Sequence, residues 1–203
     1  MNRSSTLLGE NFRAIFFDFG DTLIFNNQTF PEAMYKICRS FDLDITFERL
    51  SAVIKMADIA VLQKEKLSAT TAKRYKSYRV KYYKYILNML GYQGLSQTHA
   101  IYFHETIDYY IDSYLHPETN YVLSSLRDHG YKLGIVSNFS HALPTICDKL
   151  NLTEKVDFIT YSDAVGYEKP LPYIFEDALD KARVSPEETL HVGDSYVADI
   201  LGA

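Results

Sequence analysis

Tryptophan is missing from this chain of 203 residues, and cysteine occurs only twice, at Cys38 and Cys147. The two lie too far apart for a metal-ligand spacing and are too few for a disulfide framework. Reduced core thiols are expected, and with them a cytoplasmic location. No run of about 18 apolar residues occurs, so no membrane-spanning helix and no membrane partner are expected. The opening stretch, Met1 to Glu10, is too short and too polar for a signal peptide. Tails of one charge sign, internal repeats and low-complexity tracts are lacking as well. A formal net charge of −5 gives the chain no general attraction for nucleic acid, and none is expected as a partner. Apolar residues are plentiful, at 47%, enough for one domain or for one domain carrying an insertion. Seventeen tyrosines point to a packing habit.

Four short apolar runs stand out. Ala14-Ile-Phe-Phe-Asp18 ends in a carboxylate, and Lys132-Leu-Gly-Ile-Val-Ser137 ends in a hydroxyl. Phe158-Ile-Thr-Tyr161 and Thr189-Leu-His-Val-Gly193 are two more. Near-continuous apolar character, without alternation, predicts strands buried on both faces. Helical segments separate the later runs: Asn120 to His129, with Val122, Leu123 and Leu126 on one face, then Ala142 to Leu150 and Pro172 to Ala182. Strand alternating with helix predicts an α/β fold with a doubly wound parallel sheet.

From about Phe30 to about His116 that rhythm stops. Helical periodicity dominates and no strong strand is visible. Pro31 suits a first helical turn. Tyr75, Tyr78, Tyr82, Tyr85 and Met89 recur at three- and four-residue spacing, the stripe of a helix-packing face. The segment is also more basic than the rest, with eight basic residues and one acidic, Glu65, between Lys64 and Lys84. Such a run forms either a solvated helix face or a positive rim that attracts anionic substrates. A helical bundle inserted after the first strand is expected, with residues 25–116 as the insertion and 1–24 and 117–203 as the α/β core.

Chemistry-bearing residues gather at the strand ends. Asp18-Phe-Gly20-Asp21-Thr22-Leu23 follows the first strand, and Ser137-Asn138 ends the second. Lys169-Pro170 opens the helical stretch after Gly166, and Gly193-Asp194-Ser195-Tyr196-Val197-Ala198-Asp199 follows the last strand. Open α/β sheets bind ligands at the carboxyl ends of their strands. In the fourth cluster Asp194 is positioned to cap a helix, with Asp199 one turn further on. Each cluster alone is commonplace, because strand ends are often polar. Together, in this order, they resemble the haloacid dehalogenase superfamily, which consists mostly of phosphatases. Phe17-Asp18-Phe-Gly-Asp-Thr-Leu23, Ile135-Val-Ser-Asn138, Glu168-Lys-Pro-Leu-Pro-Tyr-Ile-Phe175 and His191-Val-Gly-Asp-Ser195 with Asp199 carry the resemblance, over about Arg13 to Ala203. The inserted bundle then resembles that family's helical cap.

The resemblance implies a Rossmann-like core and hydrolysis of a small phosphorylated substrate. It makes Asp18 the nucleophile that forms an aspartyl phosphate. Asp18, the backbone carbonyl of Gly20 and Asp194 would hold Mg²⁺, with Asp199 supporting the metal site. Ser137 would donate to a phosphoryl oxygen, and Lys169 would neutralise charge between nucleophile and phosphate. Thr22 and Asn138 belong to the matched motifs without an assigned step. The usual phosphatase pattern is Asp-x-Asp-Gly-Thr, whereas this chain reads Asp18-Phe19-Gly20-Asp21-Thr22. The carboxylate that protonates the leaving oxygen and then activates water is therefore absent at Gly20. Asp21 is offset by one position, and a turn role is as natural for it as catalysis. The chain also ends at Ala203, inside the helix expected after the fourth motif. A truncated or damaged gene product and a dimer contact are both readings of that end. Two alternatives stay open. One is a weakly active or non-catalytic binder of a phosphorylated ligand or a protein. The other is a haloacid dehalogenase, which needs no metal and leaves Asp194 and Asp199 unexplained.

Overall fold

The computed structural model describes residues 12–62, 72–94 and 97–203. Its contacts divide the chain into two compact units, Asn27–Asp112 and the remainder.

The discontinuous unit is built on a four-stranded parallel sheet. Its strands are β1 (Ala14–Phe17), β4 (Lys132–Ser137), β5 (Phe158–Tyr161) and β6 (Thr189–Val192), in the order β5-β4-β1-β6. Both neighbours of β1 run parallel to it, with Phe17 opposite Ile135 on one side and Val192 on the other. Alternate side chains supply two cores, as the pleat requires. Ile15, Phe17, Leu133 and Ile135 pack on one face with Leu123, Leu143 and Cys147. Ala14, Phe16 and Val136 pack on the other with Ile174, Phe175 and Ala178. Helices lie on both faces and the fold is the expected α/β class, but only the central strands β1 and β4 are buried as expected; the edge strands β5 and β6 are half-buried, with Val192 42% exposed. The helices Thr119–Asp128, Leu143–Lys149 and Pro172–Ala182 fall where the sequence places them. Leu123 and Leu126 join the core, but Val122 stays 36% exposed at the helix margin.

Gly134 in β4 has a specific steric cause. A Cβ there would lie 2.2 Å from the Phe158 ring, which packs edge-on against Phe16 at 5.3 Å. Gly134→Ala is expected to destabilise the protein by about 1–3 kcal/mol, the usual cost of overpacking a filled core. Urea denaturation of the variant checks this.

A second, two-stranded antiparallel sheet joins β2 (Ile24–Asn26) to β3 (Ser113–Leu115), with Phe25 opposite Tyr114. β3 lies inside the stretch read from sequence as helical. Three residues are too few to show periodicity, and the strand exists because β2 pairs with it.

The unit Asn27–Asp112 is helical. Its helices are Phe30–Ser40, Phe47–Ala57, Ala72–Met89 and Gln97–Thr106, with a π-helical stretch at Asp58–Leu62 and a 3-10 turn at Ile107–Tyr110. Pro31 sits in the first turn of the first helix, and the Glu32 carboxylate accepts the Thr29 amide at 2.6 Å. The packing face of Ala72–Met89 differs from the expected stripe. Tyr82, Tyr83, Ile86, Leu87 and Leu90 fill the core, Tyr85 packs at its margin, and Met89 is 41% exposed. The seam is one residue off because two adjacent tyrosines, Tyr82 and Tyr83, both turn inward. The Tyr82 hydroxyl reaches a buried position by donating to Asp58 at 2.7 Å. The side chains of Tyr75 and Tyr78, and most of the basic run from Lys64, lie outside the described residues. Cys38 belongs to this unit's core and Cys147 to the sheet unit's; both are free, and burial pushes each thiol up to about 12. Among the described residues no helix is long and apolar enough to cross a membrane.

Candidate active site

The three adjacent strands β4, β1 and β6 end side by side, and the polar residues follow directly from their ends. Asp18 is the first residue past β1, its amide donating to the Val192 carbonyl at 2.8 Å. Ser137 is the last residue of β4, and Asp194 stands two residues past β6. An edge-on contact of Phe19 with Phe139, at 5.5 Å, locks the loop after β1 to the loop after β4. The connection from β1 leads away to one side of the sheet and β6 closes the other. That reversal opens a crevice at the carboxyl edge, where such sheets bind ligands.

Lys169 is the hub of the crevice. Its ammonium is almost fully buried and donates to Asp18 Oδ1 at 2.7 Å and to Asp199 Oδ1 at 2.5 Å. A buried cation of this kind is tolerable only when it is paired. Asn138 holds its backbone at both ends: the Asn138 amide donates to the Lys169 carbonyl at 2.9 Å, and its oxygen accepts the Lys169 N–H at 2.6 Å. In the motif Ser137-Asn138, Ser137 is the buried last residue of β4 and Asn138 fixes the lysine 31 positions later.

Asp199 is committed on every side. Its Oδ1 also meets His191 Nε2 at 2.8 Å, and its Oδ2 accepts the Ser195 amide at 3.0 Å. Burial alone would raise its pKa, but the hydrogen bonds from Lys169 and His191 hold the carboxyl below its ordinary value. The His191 pKa is lowered as well, chiefly by burial against Phe175 and further by the Lys169 charge, with the hydrogen bond to Asp199 opposing. Gly193 makes room for this arrangement, since a Cβ there would lie 2.2 Å from the Asp199 carboxyl carbon.

Asp194 is not the helix cap. Ser195 caps the last turn, its hydroxyl accepting from Ala198 N at 3.2 Å, which frees the Asp194 carboxylate for the crevice. Loss of hydration and the neighbouring Asp18 charge raise the Asp194 pKa. Asp18, Asp194 and Asp199 place carboxylate oxygens within 4.8 Å of one another. Lys169 compensates only part of that charge. With Asp199 taken up by its three donors, Asp18 and Asp194 are left as a repelling pair of hard oxygen donors, a set that suits Mg²⁺.

Gly20 and Asp21 stand in the loop after β1. Gly20 has no positive φ, and a Cβ built on it meets nothing within 4 Å. Asp21 takes the left-handed conformation, φ 52°, in an exposed turn, and it is not among the three clustered carboxylates. Thr22 turns inward, its hydroxyl buried without a hydrogen-bond partner. Sequence reasoning passed over His191 as a site residue, because a lone histidine in an apolar strand reads as a core residue. Its spacing of eight from Asp199 has meaning only once the last turn folds back.

Comparisons with known proteins fit this geometry. A family model described as haloacid dehalogenase-like hydrolase matches residues 12–203. Haloacid dehalogenase-like hydrolase domain-containing protein 3 of Mus musculus is 47% identical over 81 residues, which is 40% of this chain and 32% of that protein. The glyceraldehyde 3-phosphate phosphatase of Methanothermobacter thermautotrophicus is 38% identical over 88 residues, covering 43% and 39%. The matches thus span well under half the length of these curated relatives. Among solved structures, the magnesium-bound HAD-hydrolase YfnB of Bacillus subtilis superposes with a TM-score of 0.74 at 20% identity, over 95% of this chain and 82% of that one. At that identity the likeness speaks for the fold alone. With the family model covering nearly the whole chain, the protein belongs to the haloacid dehalogenase-like hydrolases.

Proposed function

We propose that the protein is a Mg²⁺-dependent phosphatase of small phosphorylated metabolites, working through an aspartyl phosphate on Asp18. The observation that carries this reading is the placement of Asp18 at the end of a central strand, between the Lys169 ammonium and the Asp194 carboxylate. An oxygen of Asp18 bonds to phosphorus, the phosphorus–oxygen bond to the substrate's leaving group breaks, and the departing oxygen takes its proton from solvent. Water then cleaves the acyl phosphate and regenerates the carboxylate. Lys169 donates to Asp18 and offsets the charge of the arriving phosphoryl group. Ser137 donates to a phosphoryl oxygen. Asn138 and Asp199 act on Lys169, one through its backbone and the other through its ammonium.

Asp18, the Gly20 carbonyl and Asp194 are the groups that would hold Mg²⁺. When bound, the ion supplies the positive charge that lets two carboxylates and a phosphate share one crevice. Residues 25–116 act in this reading as a cap that selects the substrate, and residues 1–24 and 117–203 as the catalytic core. A phosphatase among the sequence relatives supports phosphate esters as substrates.

The test is phosphate release from p-nitrophenyl phosphate with and without Mg²⁺, in the wild type and in Asp18→Asn. Loss of a nucleophile is expected to cut the rate on the order of a thousandfold or more. Equal rates in the two proteins would sink the phosphatase reading.

A further inference from the structure

We propose that Asp18 takes its phosphoryl group from acyl phosphates, mixed anhydrides whose leaving group needs no proton, and holds it as a persistent aspartyl phosphate. This rests on the proposed role of Asp18 as nucleophile and deepens it to a substrate class.

The inference comes from the proton inventory of the sheet unit's crevice. Position 20 offers hydrogen only, with open space where a side chain would stand. The Lys169 ammonium is divided between two carboxylates. Asp199 has both oxygens occupied, and the His191 nitrogen nearest the crevice is bound to it. Asp194 is left facing Asp18. Asp21 is turned into an exposed left-handed loop, outside the carboxylate cluster. Of the described carboxylates clustered with Asp18, Asp199 is held by its donors and Asp194 is a Mg²⁺ ligand in the proposed reading, so neither is left to serve as acid or base.

The consequences differ by bond. Cleaving an alkyl phosphate expels an alkoxide, a strong base that must be protonated as it leaves, and a positioned acid contributes about a hundred- to ten-thousandfold to such steps. In an acyl phosphate the departing group is a carboxylate, whose conjugate acid has a pKa of about 4. There an Asp18 oxygen bonds to phosphorus, the phosphorus–oxygen bond to the acyl group breaks, and the electron pair leaves with the carboxylate. No proton moves. The second half-reaction is different. Water must bond to phosphorus, the bond to Asp18 must break, and a proton must pass from that water to a base. With no base at position 20 this step is slow, so the covalent adduct accumulates.

The experiment uses the full chain with Mg²⁺ and, as donors, acetyl phosphate and glycerol phosphate. Intact-mass spectrometry and peptide mapping follow the phosphoryl group on the protein, and released phosphate is measured in parallel. The expected result is an adduct on Asp18, formed from acetyl phosphate at least about a hundredfold faster than from the alkyl ester. The adduct is expected to outlive exhaustion of the donor and to be absent in Asp18→Asn, with circular dichroism confirming the fold of that variant. Similar rates from both donors, with phosphate released and no adduct retained, would overturn the inference while leaving the phosphatase reading intact. Neither adduct nor released phosphate with any donor would overturn that reading itself.

Discussion

Gly20→Asp is expected to raise turnover of alkyl phosphate esters about a hundred- to ten-thousandfold, the usual worth of a positioned general acid and base. The backbone is ready for the change. Gly20 already has a φ open to any residue, and its Cβ would enter empty space. Asp21 occupies the left-handed conformation that glycine adopts without steric cost and that an L-residue adopts at a penalty. Exchanging both, Gly20→Asp with Asp21→Gly, therefore gives the carboxylate its place and relieves the turn. The double variant is expected to be at least as active as the single one and more stable. Steady-state kinetics on glycerol phosphate and urea denaturation measure the two effects. An unchanged rate in both variants, with the fold intact, would show that the missing carboxylate is not what limits turnover.

Lys169→Met is expected to destabilise the protein by about 3–5 kcal/mol in EDTA, because it strands buried charge that had a partner. Asp18 and Asp199 both lose their shared ammonium, and Asp199, at 1% exposure, cannot turn to water instead. The pH dependence separates this cause from lost packing. The Asp199 carboxyl is held below its ordinary value in the wild type. A depressed carboxylate stabilises the fold above its unfolded pKa, and that contribution fades as the pH falls through the folded value. Below pH of about 4 the stability gap between the two proteins should therefore narrow. A gap that stays constant from neutral pH to acid would point to packing as its source.

The strands and their order of chemistry were legible in the sequence because a sheet covered on both faces favours unbroken apolar runs, and the two central runs end in Asp18 and Ser137. The helical character of the inserted segment was equally plain. Its packing seam was not, because two neighbouring tyrosines can share a core only when each finds a place for its hydroxyl, as Tyr82 does at Asp58. The ribbon of β2 and β3 was invisible because each strand lacks internal periodicity and forms only against the other.

The sequence by itself marked the candidates for chemistry: Asp18, Ser137 and Asp194 at strand ends, Asp199 a turn beyond, and Lys169 ahead of a later helix. It also showed that a carboxylate is missing at Gly20. Only the tertiary structure decided how those groups divide the work. Asp199 went to Lys169 and His191 rather than to the open crevice, and Ser195 took the cap that Asp194 could have filled. The space beside Gly20 likewise became visible only in three dimensions. Those allocations depend on donors and acceptors up to 151 positions apart, and sequence spacing carries no information about which donor takes which oxygen.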